Sequence, residues 1–221
     1  MKTLKVCLPL VIVGLFAACS NPADDVSAAK VSSSSTPANA APVPPEAGPA
    51  KRFVFGPENS KIEFIGSKVT GSHNGGFKKF EGELFVGSDG RLSKTGNKVT
   101  IDTTSLWADN DRLTGHLKSP DFFNVQGHPT STFVSTDISQ QGTNATVTGN
   151  LTLHGITKQI SFPAAVQVSE QAIDVQADFS INRFDFEMKY PGKADDLIRK
   201  EVVLKLNVKT APAPKSVAAA N

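Results

Sequence analysis

The chain has 221 residues, 39% of them hydrophobic, and its 23 basic and 21 acidic side chains leave a formal net charge of +2. Acids and bases are interspersed with no basic block, which argues against nucleic acid as a partner. Of the two cysteines, Cys7 falls inside an apolar N-terminal run. A chain processed there keeps only Cys19, so one copy has neither a disulfide framework nor a cysteine zinc cluster.

The opening MKTLKVCLPLVIVGLFAACSN places Lys2 and Lys5 around the start of an apolar run from Val6 to Ala18. This is the pattern of a secretory signal, too short to remain as a membrane span. Leu15 to Cys19 reads LFAAC and resembles the lipobox of bacterial lipoproteins, with Phe16 where Leu is usual. That resemblance implies cleavage before Cys19 and a diacylglyceryl thioether on its sulfur; the other reading is an ordinary signal peptide with Cys19 a free thiol. Residues 1–18 are therefore expected to be a signal peptide and 19–52, rich in Ala, Pro and Ser, a disordered tether. Residues 53–210 are expected to be one folded domain, and 211–221 a disordered tail.

Within the domain, apolar and polar residues alternate with the period of half-buried strands. The spacing predicts eight: 61–69, 80–87, 98–106, 131–138, 145–153, 158–169, 172–184 and 201–209. Gly, Asn or Pro at 88–91, 140–144, 154–157 and 190–193 supplies turns, several of hairpin length, so the sheet is expected to be antiparallel. One short helix is expected in DNDRLTGHLKSPDFFNV (109–125), where Leu113 and Leu117 fall four apart before Pro120. Eight long strands leave exposed edges unless they close, which favours an up-and-down barrel, with a β-sandwich still open.

Parity identifies one apolar face. It includes Ile62 and Phe64, Leu84 and Val86, Val99, Ile101 and Phe133, then Leu151 and Leu153, Ile160 and Phe162, Phe179 and Ile181, and Leu204 and Leu206. Almost nothing ionisable interrupts it. Whether such a tube is hollow or filled is open on periodicity alone. The small inward residues Gly149 and Ala177, and strands of about ten residues giving a tube about 30 Å deep, point towards a cavity.

Three segments, GNLTLHGITKQISF (149–162), DRLTGHLKSPDFFNVQGHPTSTF (111–133) and SINRFDF (180–186), together resemble the YceI-like family of bacterial secreted polyisoprenoid-binding proteins. The family's Ser-x-Asp-Phe-Phe pattern, followed by Pro before a strand, is matched at Ser119, Asp121, Phe122, Phe123 and Pro129. The resemblance implies an all-β, single eight-stranded antiparallel lipocalin-like barrel with one short helix. It also implies a bound polyisoprenoid, an isoprenoid quinone or a polyprenyl phosphate, held by a periplasmic carrier or store with no catalytic residues, no metal and no other cofactor. Expected partners are that lipid and, through the acyl group on Cys19, the membrane, the outer one because Ser20 stands where inner-membrane lipoproteins carry Asp. Whether the domain pairs as a homodimer is left open.

The residues expected to meet the lipid are Phe64, Lys68, His73, Leu84, Val86, Phe133, Leu151, Leu153, Phe162, Phe179, Ile181, Arg183 and Leu204. Arg183 extends the inward row of its strand, and a guanidinium there needs a partner, either Asp185 or Glu187 or a ligand head group. Lys68 follows Ile62, Phe64 and Gly66 in register and is a second head-group candidate, against a solvated lysine. His154 points away from Leu151 and Leu153, and its expected role is framework, a hydrogen bond from the imidazole to backbone at the hairpin. The alternative function is a small-substrate isomerase or hydrolase using His73 or His154 with a nearby acid. His73, His116, His128 and His154 lack metal-ligand spacing, and the acids around 109–121 read as caps and turns rather than as a calcium loop.

Overall fold

The computed structural model describes residues 21–33 and 51–213. The signal peptide, Cys19, the stretch 34–50 and the last residues of the tail lie outside them. Alternation becomes strand throughout: β1 (Ser27–Ala28), β2 (Lys30–Ser33), β3 (Lys51–Phe55), β4 (Lys61–Lys68), β5 (Gly71–Phe77), β6 (Phe80–Val86), β7 (Lys98–Asp102) and β8 (Leu106–Ala108). After the helix α1 (Asp111–Lys118) come β9 (Thr130–Gln141), β10 (Asn144–Leu153), β11 (Ile156–Val168), β12 (Ile173–Asn182), β13 (Gly192–Lys193), β14 (Asp196–Lys209) and β15 (Ala211–Pro212). The side chain of Asn110 caps α1, accepting from the Leu113 amide at 3.0 Å.

The main sheet runs β15-β3-β6-β7-β9-β10-β11-β12-β14-β4-β5-β8. Its ladders are antiparallel except β1 on β12. Only Thr210 separates β14 from β15, which pairs with β3 at the far end of that order, so the sheet curls back on itself. Among the described residues the fold is all-β with one short α-helix, as expected, but the strand count is fifteen rather than eight. All eight expected strands are present; those added are short or of turn-like composition. β5 reads GSHNGGF, and Gly75 and Gly76 in it are a requirement of packing rather than of turning. A Cβ on Gly75 would lie 2.3 Å from the Phe64 ring and 2.6 Å from the Trp107 carbonyl oxygen.

Residues 21–33 also depart from the expected tether. β11 and β12 pair with each other only over Ala165–Val168 and Ile173–Gln176. Beyond that the two strands part, and the N-terminal segment takes the vacated positions, β1 on β12 at Phe179 and Ser180 and β2 on β11 from Lys158 to Ser161. Backbone ladders explain the docking of a segment so poor in apolar residues, aided by Ala29 and Val31 against the core. At its start Asn21 is buried and accepts a hydrogen bond from Ser67 Oγ at 3.3 Å. The tail likewise begins in structure, with Ala211 and Pro212 on Val54 and Phe53.

Inward side chains fill one end of the curled sheet. Phe53, Phe55, Phe80, Leu84, Val86, Ile138, Val147, Val166, Ile173, Ala177 and Val208 form a close-packed core there. On β9 a bulge at Thr136 sets Ile138 opposite Val147 and Phe133 opposite Leu151, so two residues of unlike parity face one interior.

Candidate functional site

Beyond this packed end the interior is hollow, with a cavity of about 670 Å³. Ile62 and Phe64 of β4, Val99 and Ile101 of β7, Phe133 of β9, and Leu151 and Leu153 of β10 line it. Phe77 of β5, Ile160 and Phe162 of β11, Phe179 and Ile181 of β12, and Val202, Leu204 and Leu206 of β14 continue the wall. Phe162 and Phe179 stack with ring centroids 4.1 Å apart and planes 10° from parallel, and Phe133 leans on Phe162. The helix α1 covers the wall's open side with Leu113, His116 and Leu117, followed by Phe122 and Phe123. Phe123 meets Phe64 and Phe77, so the cover is itself seated on aromatic rings.

Eleven of the thirteen lipid-contact candidates border the cavity: Phe64, Lys68, His73, Phe133, Leu151, Leu153, Phe162, Phe179, Ile181, Arg183 and Leu204. Leu84 and Val86 do not. They pair across to Phe53 and Lys51 of β3 and belong to the packed end. The two small residues read as making space do not make it either. A Cβ on Gly149 would sit 2.3 Å from the tip of Phe133, so the glycine is filled by that ring, and Ala177 is in the packed core. The hollow is bounded by large side chains, and α1 with its aromatic loop was missing from the expected lining. Its one sequence signal was the spacing of Leu113 and Leu117, which puts both on one helical face.

Arg183 is only 3% exposed and pairs with neither Asp185 nor Glu187. Instead its guanidinium donates to four backbone carbonyls: Nε to Arg199 at 3.0 Å, Nη2 to Tyr190 at 2.8 Å and to Ile198 at 3.2 Å, and Nη1 to Met188. The carbonyls of Ile198 and Arg199 are presented by an irregularity in β14, where Ile198 faces Lys68 but Val202 already faces Gly66. Burial pushes the guanidinium down from its usual value. It stays charged, and Phe184 lies 4.8 Å from its central carbon. Arg183 thus holds the segment 188–199 against the end of the cavity while itself bordering that cavity.

Lys68 is neither free nor simply solvated, because it forms an ion pair with Asp196. Asp196 also accepts from the Thr70 amide at 3.2 Å and its hydroxyl at 3.0 Å. The Lys68 ammonium foremost, then Thr70, holds this carboxyl below the usual aspartate range. His73 Nδ1 lies 2.8 Å from Asp109, whose carboxylate also accepts the Asn74 amide and is held low chiefly by that bond. His154 sits in the left-handed region at φ 52°, beside Gly155 at 75°, in the tight turn joining β10 to β11. Its Nδ1 donates to the Phe186 carbonyl at 3.1 Å, and its ring meets His128 edge-on. The framework reading holds, with the partner on a distant turn rather than on the hairpin itself. Among the described residues no three His, Cys, Asp or Glu side chains converge as a metal site.

The YceI-like domain model matches residues 53–210, most of the chain, from the middle of β3 through β14. The chain belongs to the YceI-like family. A UPF0312 protein of Pseudomonas aeruginosa (strain LESB58) is 41% identical over 90 residues, 41% of this chain and 47% of that one. The chain thus spans about half the length of the first of its curated relatives. A UPF0312 protein of Pseudomonas putida (strain W619) is 31% identical over 136 residues, covering 58% of this chain and 70% of that protein. Among solved structures, Burkholderia cenocepacia BcnA superposes with a TM-score of 0.61 at 22% identity, over 70% of this chain and 98% of that one. A polyisoprenoid binding domain from Saccharophagus degradans, implicated in plant cell wall breakdown, gives 0.58 at 17% identity over 74% and 99%. These superpositions establish that the YceI-like sheet here has the lipocalin-like curl of its structural neighbours.

Proposed function

We propose that this YceI-like protein binds the tail of a long polyisoprenoid lipid, an isoprenoid quinone or a polyprenyl phosphate, and serves as a periplasmic carrier or store rather than as a catalyst. The observation that carries the reading is the cavity of about 670 Å³, walled by aliphatic and phenyl side chains from eight strands and roofed by α1. Its size falls within the range of small-molecule sites. Each buried methylene-sized group contributes about 0.8 kcal/mol, so a twenty-carbon tail offers ample gross driving force before ordering costs of binding are subtracted. An acyl group on Cys19 would anchor the protein, with the outer membrane as its expected location.

The test is mass spectrometry of an organic extract of the protein purified from its native membrane. A stoichiometric polyisoprenoid is the expected result; an extract with no lipid, from protein shown to be folded, argues against the reading. Anchoring is checked separately with Cys19→Ser, which should yield an unprocessed or soluble species without acyl mass.

The alternative of an isomerase or hydrolase draws on the His73–Asp109 pair, which stands beside the cavity with the geometry of an oriented base. The cavity hydroxyls do not complete such a site. Ser131 Oγ donates to the Thr152 carbonyl at 2.7 Å and Ser67 Oγ to Asn21. Turnover of a small ester abolished by His73→Gln would favour this second reading.

A further inference from the structure

The two lipid classes named above differ at the head, one neutral and one anionic, and the end of the cavity discriminates between them. Resting on the lipid-binding reading, we infer that this end is built to take an anionic head group, a phosphoryl or carboxylate, in preference to a quinone or an alcohol. Five side chains of Lys and Arg border the cavity, Lys68, Arg112, Arg183, Lys193 and Arg199, and no Asp or Glu does so among the described residues. The acids near the site are already paired, Asp196 with Lys68 of this set, Asp109 with His73 and Asp121 with His116. Arg112, Lys193 and Arg199 make no ion pair among the described residues.

The placement is specific. Lys68 ends β4, Arg183 follows β12, Lys193 ends β13, and Arg199 lies in the irregular start of β14. The ladders bring these ends together, Ile198 opposite Lys68 and Lys193 opposite Asp196. Arg199 Nε is buried with no hydrogen-bond partner among the described residues. A buried donor of a charged group without an acceptor is costly, and an anion's oxygen satisfies it with a charge-assisted bond. Arg183, whose charge meets carbonyl dipoles and rings but no acid among the described residues, adds a further cation beside the same cavity. A neutral carbonyl offers weaker hydrogen bonds and no counter-charge to either.

The experiment titrates the full chain in detergent with geranylgeranyl phosphate, geranylgeraniol, a quinone bearing a geranylgeranyl tail, and palmitate. The phosphate should bind at least about tenfold more tightly than the alcohol or the quinone, the worth of one charge-assisted bond. Added salt should narrow that ratio. In the Arg199→Gln, Lys193→Gln double variant the ratio should fall towards one. Equal binding of phosphate and alcohol by the wild type, or a ratio insensitive to both salt and the double substitution, overturns the inference. Palmitate matching the phosphate supports a collar that reads charge on any apolar tail; palmitate binding weakly supports recognition of an isoprenoid phosphoryl head. If no geranylgeranyl compound binds, the lipid-binding reading itself falls. If all three bind alike, only the head-group inference does.

Discussion

The two ends of the curled sheet are made from the same strands and are almost equally apolar, yet one is solid and the other hollow. β12 supplies Ile173 and Ala177 to the packed end and Phe179 and Ile181 to the cavity. β10 likewise supplies Val147 to one and Leu151 and Leu153 to the other. Hydrophobicity does not separate them; what faces them across the interior does. At the packed end β3 and β6 send Phe53, Phe55 and Phe80 inward, and these rings occupy the space. At the hollow end β4 and β5 stand there instead: Gly66 carries no side chain beside the cavity, Gly75 and Gly76 are closed over by Phe64 and Trp107, and α1 roofs the space without filling it. A binding site here is a core whose inward rings have been replaced by a roof.

That contrast is open to direct attack. Phe53→Ala, at 2% exposure in the packed end, should cost about 3–5 kcal/mol in urea unfolding while lipid content per folded molecule is unchanged. Lipid loss as great as the stability loss would show that the two ends are one unit. Arg183→Met should cost about 3 kcal/mol by leaving buried carbonyls unpaired, and Arg183→Lys should fail to restore it, because an ammonium cannot reach four acceptors at once. Leu204→Ala at the hollow end should cost about 2 kcal/mol, nearer the transfer contribution alone, because its side chain already borders empty volume. Phe179→Asp should instead expel the tail, seen as lost lipid mass.

The smallest effect concerns acid. The Asp196 carboxyl is held below its usual range by Lys68, so its contribution is fully present above the ordinary aspartate value of about 3.9 and is lost as pH falls through the lower folded value. An NMR titration of that carboxyl should place its midpoint below the ordinary aspartate value, and Lys68→Met should return it towards that value.

Strand positions and inward parity were legible because one buried face imposes a period of two, and ten of the eleven matched lining residues follow from that alone, His73 having come from the hairpin's resemblance to the family. Illegible were features set by backbone register. Parity delivered Arg183 to the right place, but its acceptors are main-chain carbonyls, two of them exposed by the irregularity in β14 and two in the loop before it, which no side-chain pattern encodes. Likewise β5 is hidden by glycines that pack against Phe64 and Trp107, and Leu84 and Val86 share the cavity's parity but lie at the wrong depth. The docked segment 21–33 was missed because its partners, the parted edges of β11 and β12, come from far along the chain.

That docking has a consequence for how the molecule is made. Ser27 lies beside Phe179 and Lys30 beside Ser161, each more than a hundred residues away along the chain, so the first part of the described structure to be synthesised has no ladder to join until β11 and β12 exist. Such non-local pairing is slow to form, because a long loop must close before any contact rewards it. The wall should therefore be completed last by the chain's own beginning. In hydrogen exchange, the amides of 27–33 should be among the first to open, with those of Ile173 and Val166 among the last.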